Sequence, residues 1–190
     1  MNQCNIPVKK LVEGDLIKTK DSTFTCYHPD REYESETPND LSLSILFQHG
    51  DFKVFFVGDL EAEGEENILE ENLPSLHVDV LKVGHHGSKT SSTPAFLSWV
   101  DPKMAVISAG KNNRYGHPHE ETLQRLLQAG CRVYRTDRCG AVRITAEEDN
   151  KLAVSTFKQI KNQDNEEIFP ESRGERHYLI TKRYQEDIIH

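Results

Sequence analysis

Two apolar runs that each stop at a glycine constrain this 190-residue chain more than any other feature. The first, Phe52-Lys53-Val54-Phe55-Phe56-Val57, ends in Gly58 and Asp59. The second, Val78-Asp79-Val80-Leu81-Lys82-Val83, ends in Gly84, His85, His86 and Gly87. Runs this short and apolar read as buried strands, and a strand that stops at glycine turns sharply and delivers the next side chain to the rim of its sheet. Two rims carrying a carboxylate and imidazoles suggest half of a metal site.

The surrounding pattern supplies a sheet for these rims. Residues 16–19 and 23–27 read as strands around the turn Lys20-Asp21-Ser22, and a polar, acidic, mobile loop is expected from His28 to Asp40. Residues 41–45 alternate as a half-buried strand does, and His49-Gly50-Asp51 makes the turn into the first apolar run. A helix is expected over 61–72, acidic at its start, with Ile68 and Leu69 inward; 76–83 is the next strand. Thr93 and Pro94 have the chemistry of an N-cap and first helical residue, opening a helix to about Val100 that buries Phe96, Leu97 and Trp99. A strand follows at 104–108. Pro118 then begins the clearest helix, with Leu123, Leu126 and Leu127 at helical spacing and Gly130 as its stop. Residues 132–135 form a strand, 137–140 a turn and 141–144 its partner, and 151–157 add a further strand. Helices alternating with strands place the fold in the α/β (α+β) class, with helices on one face of a sheet. The domain runs over 1–157; residues 158–190 form a polar, patternless extension, a candidate for disorder.

Charge is unevenly placed. The net charge is −8, yet residues 76–145 carry ten Lys and Arg against five Asp and Glu, and this is the stretch with the histidines. That fits an anionic substrate or a solvated mixed surface. No apolar run approaches the roughly 20 residues of a membrane helix, and the N-terminus shows no signal-peptide pattern. Cysteines 4, 26, 131 and 139 form no C-x-x-C pair, which argues against a zinc knuckle and for free thiols, although Cys131 and Cys139 would approach each other across a hairpin.

The candidate site residues carry competing readings. Asp59 is a metal ligand or the N-cap of the helix that follows it. His85 and His86 are adjacent and point in different directions, so one ligates metal while the other contacts substrate or orients the loop, or both are ordinary loop histidines. Ser88, Lys89 and the hydroxyls of 90–92 suit phosphate oxygens or a turn. His117 is a substrate-side group, His119 a structural one. Asn113, Arg114, Tyr115 and Lys111 are polar loop residues able to face the same rim. His28, His49, His77, His177 and His190 carry no supporting context and read as surface or local hydrogen-bonding residues.

The stretches V-G-D-L-E, D-V-L-K-V-G-H-H-G-S-K-T-S-S, N-N-R-Y-G-H-P-H and Y-R-T-D-R-C-G-A-V-R-I, in that order, resemble the metallo-β-lactamase-like domain at the C-terminal end of ComEC-type competence proteins. The likeness covers residues 6 to 144. It implies an αββα sandwich with two divalent ions, Zn or Mn, between the sheet rims. It assigns Asp59 to the late carboxylate ligand and the last histidine ligand to His85 or His86, and places Asn39 and Asp40 near the site. On this reading Asp59 and His86 are the candidate catalytic residues, and Ser88, Lys89, Asn113, Arg114, Tyr115 and His117 the candidate substrate contacts. The implied activity is a metal-dependent phosphodiesterase acting on DNA during uptake, on the extracytoplasmic side of the membrane.

The family's first ligand motif, H-x-H-x-D-H or a variant, belongs upstream of residue 6 and is absent here. The expected sandwich is therefore incomplete and lacks its N-terminal half. Its expected partners are DNA, that missing half or the membrane channel segment, and a second copy through an uncovered sheet face. One carboxylate and one or two imidazoles fall short of the three or four ligands of a zinc site, so this chain alone is expected to be inactive. The rivals are a degenerate binding or assembly module and another hydrolase of the same fold, such as a lactonase or a phosphorylcholine esterase.

Overall fold

A computed structural model describes residues 7–146 and 152–158. Its centre is a seven-stranded mixed sheet whose spatial order follows the chain, β1 to β7. Strands β1 (Leu16–Lys18), β2 (Ser22–His28), β3 (Ser44–His49) and β4 (Phe52–Phe56) form an antiparallel meander. From β4 onward the pairing is parallel, through β5 (Val80–Lys82), β6 (Met104–Ile107) and β7 (Arg132–Arg135). Each parallel step crosses over through one helix: α1 (Ala62–Glu70), α2 (Pro94–Val100) and α3 (Glu120–Gln128). The three helices pack on one face of the sheet, as expected. Phe55, Leu46, Leu81, Ala105 and Ile107 from the strands meet Leu60, Ile68, Phe96, Leu97, Trp99 and Leu126 there, all buried.

Register fixes what lies on the other face. Val54 pairs with Val80 and Val80 with Met104. These side chains join Tyr134, Leu152 and Val154 in a second apolar cluster. After β7 the chain makes one helical turn, α4 (Thr136–Cys139), and a hairpin of β8 (Val142–Ala146) and β9 (Leu152–Thr156) lies over this face. Residues 141–144 therefore pair with β9 and not with β7 as the sequence suggested. Gly140, at φ 72°, turns the chain off the main sheet, so the hairpin becomes a second layer.

The hairpin covers only part of the face. Following the same rows outward, Ile17 pairs with Phe24, Phe24 with Phe47 and Phe47 with Val54; Cys26 pairs with Ile45 and Ile45 with Phe56. Ile17 and Phe56 are 46% and 45% exposed. Between them Phe24, Ile45 and Phe47 are half-buried and Cys26 is buried, so this end of the apolar face is exposed in part.

Three further boundaries differ from the sequence reading. The strand placed at 41–45 starts only at Ser44, because residues Pro38–Leu41 form a 3-10 turn that presents Asp40 to α1. The strand placed at 76–83 pairs only over Val80–Lys82. Upstream of it, Leu76 and Val78 donate their N–H groups to Trp99 and Val100 at the end of α2. Pro118 follows a cis peptide bond and lies ahead of α3, whose first residue is Glu120 and whose N-cap is His119.

The loop expected to be mobile is anchored. His28 is fully buried; its Nε2 donates to the Asp40 carbonyl at 2.6 Å, and its Nδ1 lies 3.0 Å from Asn67 Oδ1. Asn67 in turn donates to the Asp30 carboxylate, and Tyr33 packs edge-on against the His28 ring. His28 is thus a core hydrogen-bonding residue, not a surface one. Cys26, Cys131 and Cys139 are buried free thiols, as expected, and burial raises all three thiol pKa values, that of Cys131 to about 12. Cys4, His177, His190 and residues 159–190 lie outside the described residues.

Candidate functional site

Because β4 to β7 run parallel, the loops that follow them all emerge at one rim, the usual place for a ligand in an open sheet of this kind. These loops carry Asp59 and Glu61 after β4, His85 and His86 after β5, Asn113 to His119 after β6, and Thr136 after β7. Thr136 ties two of them together, its hydroxyl donating to the Ala109 carbonyl and accepting from the Ala109 N–H, both at 2.9 Å.

Asp59 is not a helix cap. The N-terminus of α1 is capped from a distance: Asp40 Oδ1 accepts from the N–H groups of Glu61 and Gly64, each at 3.0 Å, while Asp40 is 3% exposed. The Asp59 carboxylate is left for the rim. Its own N–H donates to Ser42 Oγ, which fixes the backbone beneath it.

His85 and His86 both adopt left-handed backbone conformations, with φ 41° and 54°. Such geometry costs about 1–2 kcal/mol for each non-glycine residue. It is held by His85 N–H on the Gly58 carbonyl, by Ser88 N–H on the His85 carbonyl, and by Ser91 Oγ on the carbonyls of Gly84 and Ser88. The two imidazoles accordingly diverge. His86 donates Nδ1–H to the Ser108 carbonyl at 2.7 Å, and its Nε2 lies 3.6 Å from Asp59 Oδ1. His85 Nδ1 lies 2.8 Å from Glu61 Oε1 without hydrogen-bond alignment, an electrostatic contact; Asn39 donates to the same oxygen at 2.9 Å.

The donor set suits a cation in part. A backbone carbonyl on His86 Nδ1 fixes the tautomer with a lone pair on Nε2, the arrangement seen in metal-binding histidines. Two donors at zinc distances from one tetrahedral ion are about 3.4 Å apart, close to the 3.6 Å between His86 Nε2 and Asp59 Oδ1. The number of donors falls short: among the described residues, no group of three or more His, Cys, Asp or Glu side chains is placed to hold a metal ion.

The remaining predicted residues gather around this pair to different degrees. The His117 ring centre is 5.4 Å from that of His85 and 6.5 Å from that of His86, nearly parallel to the latter. Burial first, and then the neighbouring His119, His85 and His86, lower its pKa. His119 accepts from the Lys89 N–H, the structural role expected of it. Asn113 binds its own loop, its side chain meeting the Gly110 carbonyl and the carbonyl and N–H of His117. Ser88 is buried with its hydroxyl on Thr90, so it shapes the loop and is not open to a ligand; Lys89 is exposed. Arg114 and Tyr115 are exposed beside His117. Part of the basic excess is structural: Lys103 pairs with Asp79, Arg135 with Asp137, and Arg125 donates to the carbonyls of Lys89 and Ser91.

Sequence reading missed Glu61 and Lys82. Glu61, in the V-G-D-L-E stretch, stands at the start of α1 as expected and is also the acidic neighbour of His85. Lys82 ends β5 with its amine on the Val83 carbonyl; burial lowers its pKa, and the nearby Asp59 opposes that shift. Its alternation with apolar residues hid it among strand positions.

Gly87 explains how two of these loops meet. It has φ 82°, and a Cβ there would lie 2.6 Å from Pro118 Cβ and 3.1 Å from Pro118 Cα. Gly87→Ala should push the 117–119 loop away and lower stability by about 1–3 kcal/mol, from strain and overpacking together. Urea unfolding measures the loss, and histidine ring NMR shifts should report His117 moving from His85 and His86. Unchanged shifts would contradict the close approach.

No family model matches the chain. Curated proteins do. It is 37% identical over 163 residues to ComE operon protein 3 of Bacillus subtilis (strain 168), which covers 86% of this chain and 20% of that protein. It is 40% identical over 104 residues to Competence protein ComA of Neisseria gonorrhoeae, 55% of this chain and 15% of that one. It is 40% identical over 111 residues to Recombination protein 2 of Haemophilus influenzae, 58% of this chain and 14% of that one. The chain spans a fifth or less of the length of these relatives. With Asp59, His86 and His117 gathered at one rim, and with this likeness, the chain is a homologue of a segment of the ComEC-type competence proteins.

Proposed function

We propose that this chain supplies part of a divalent-metal centre in a DNA-handling hydrolase of the ComEC type. Asp59 and His86 would be its ligands, and further ligands would come from residues outside those described. The observation that carries this reading is His86: Nδ1 is committed to the Ser108 carbonyl, and Nε2 faces Asp59 Oδ1 across 3.6 Å. A bound divalent ion supplies Lewis acidity toward a phosphodiester and lowers the pKa of bound water toward about 7. The chain's own residues do the rest. Asn113 and the Gly87–Pro118 contact hold His117 at the rim; its lowered pKa keeps it neutral near pH 7 and available to hydrogen-bond a substrate oxygen. Exposed Lys89, Lys111 and Arg114 would attract the nucleic-acid backbone.

The partly exposed apolar rows on β1 to β4 support the finer fold reading, an αββα sandwich completed by a second sheet, since β8 and β9 already lie over the adjoining face. In the intact protein, by likeness, the domain would work on the extracytoplasmic side of a membrane. No helix among the described residues is long and apolar enough to cross one.

The test is zinc and manganese binding by equilibrium dialysis, together with a DNase assay, on this chain alone and joined to the segment that precedes it in a full-length homologue. The joined protein should bind metal and cleave DNA, and Asp59→Ala and His86→Ala should each lower metal affinity at least about tenfold. A joined protein that binds no metal and cleaves no DNA would instead support a non-catalytic assembly module.

A further inference from the structure

An exposed aromatic ledge leads outward from Asp59. The His86 and His117 rings are inclined by 22°, with centres 6.5 Å apart. His117 and Tyr115 are inclined by 27°, with centres 5.8 Å apart. Each ring is thus stacked on the next, from the candidate metal pair out to Tyr115, which is 62% exposed. Tyr115 is not a loose loop residue. Arg114 donates to its hydroxyl at 2.6 Å, with the guanidinium 4.8 Å from the ring centroid. Three side-chain hydrogen bonds of Asn113 fix the loop, and Gly116 turns it at φ 71°. With His117 stacked against it and the Arg114 guanidinium over it, the ring is held in place and still keeps most of its surface in water. A held, exposed π-surface of this kind suits a partner that stacks on it.

We propose that Tyr115, with Arg114 beside it, is a stacking ledge for an unpaired nucleobase, so that the site takes single-stranded DNA. This deepens the hydrolase reading and rests on it for the nature of the polymer. The physical reason is access to a π-face. Inside a duplex, each base face is covered by the next pair, and a fixed side-chain ring reaches only a terminal one. In a single strand the bases unstack readily, and every base has a face to offer. A guanidinium adds attraction to the base and to the neighbouring phosphate. A base seated on Tyr115 places its own or the adjacent phosphate toward His117 and Asp59, which makes Tyr115 a positioning residue.

The test is fluorescence anisotropy of a labelled oligothymidine and of a blunt duplex of the same length. It uses the 190-residue chain with EDTA present, so that binding is read without cleavage. Tyr115→Ala should weaken single-strand binding on the order of tenfold, the usual effect of losing one base–aromatic stack. Tyr115→Trp should restore it, duplex binding should change far less because only a terminal pair can reach the ring, and thermal stability should hold because the ring is exposed. An abasic site walked along the oligonucleotide should reproduce the loss at one position. Equal binding of single strand and duplex by the wild type, or single-strand binding by Tyr115→Ala at wild-type strength, would overturn the ledge. Tyr115-dependent binding by a joined protein that takes up no metal and cuts no DNA would leave the ledge standing and count against the hydrolase alone.

Discussion

Asp40→Ala should remove about 4 kcal/mol of folding stability, a large share of the roughly 5–15 kcal/mol that holds a domain together. One oxygen of this buried carboxylate accepts from two backbone donors, Glu61 N–H and Gly64 N–H, at the first turn of α1. Alanine leaves both donors without an acceptor where water has little access. Each orphaned buried donor costs about 1–3 kcal/mol. Gly64 is buried and packs closely against Leu60, so the helix start lies against the core. Asp40→Asn retains an oxygen in the same place and should lose less than half as much. The damage would not stay local, since Glu61 both donates its N–H to Asp40 and lies beside His85. Urea unfolding of the three proteins measures this series. A loss under about 1 kcal/mol in the alanine variant would show that Asp40 does not anchor α1.

That arrangement also shows what could be read from the chain alone. Short apolar runs, glycine stops and the Leu123, Leu126, Leu127 spacing carry local information, and they located the parallel strands, the helices and the two rims. The convergence of Asp59 with His86 followed from the same logic, because parallel neighbours end at the same edge. The choice for Asp59 between cap and ligand was not local. Asp40, a residue far back in the chain, takes the cap position, and capping rules look only a few positions ahead. Pro118 misled for a similar reason. Proline suits a first helical turn, but here it packs against Gly87, a contact made by a distant loop. The pairing of residues 141–144 with β9 and not with β7 was not local either, because a two-residue period gives a strand its faces and not its neighbour. His28 looked unremarkable since a single buried histidine leaves no pattern.

Glu65 was another acid at a helix start in the sequence, and its surroundings make it the group through which this fold should feel pH. It is fully buried and accepts from the N–H groups of Ser92 and Thr93, which tie α1 to the beginning of α2. Burial pushes its pKa up to about 7; the two N–H groups and the nearby Arg125 pull the other way and do not prevail. The native state therefore holds this proton more tightly than the unfolded chain, where the pKa is near 4.5. Below that value both states are protonated and the contribution is fully present. As pH rises from about 4.5 to 7 the unfolded chain ionises first, so stability falls; above about 7 both are ionised and the loss is complete. A difference of this size corresponds to about 3 kcal/mol. Glutamine ionises in neither state. Between pH 4 and pH 8, the unfolding free energy of the wild type should therefore fall by about 3 kcal/mol more than that of Glu65→Gln, with the divergence confined to the interval between the two pKa values. Comparing the slopes leaves aside any constant cost of setting an amide NH₂ against the two backbone donors. Parallel profiles for the two proteins would mean that Glu65 is ionised in the native state throughout, and that Arg125 and the start of α2 compensate its burial in full.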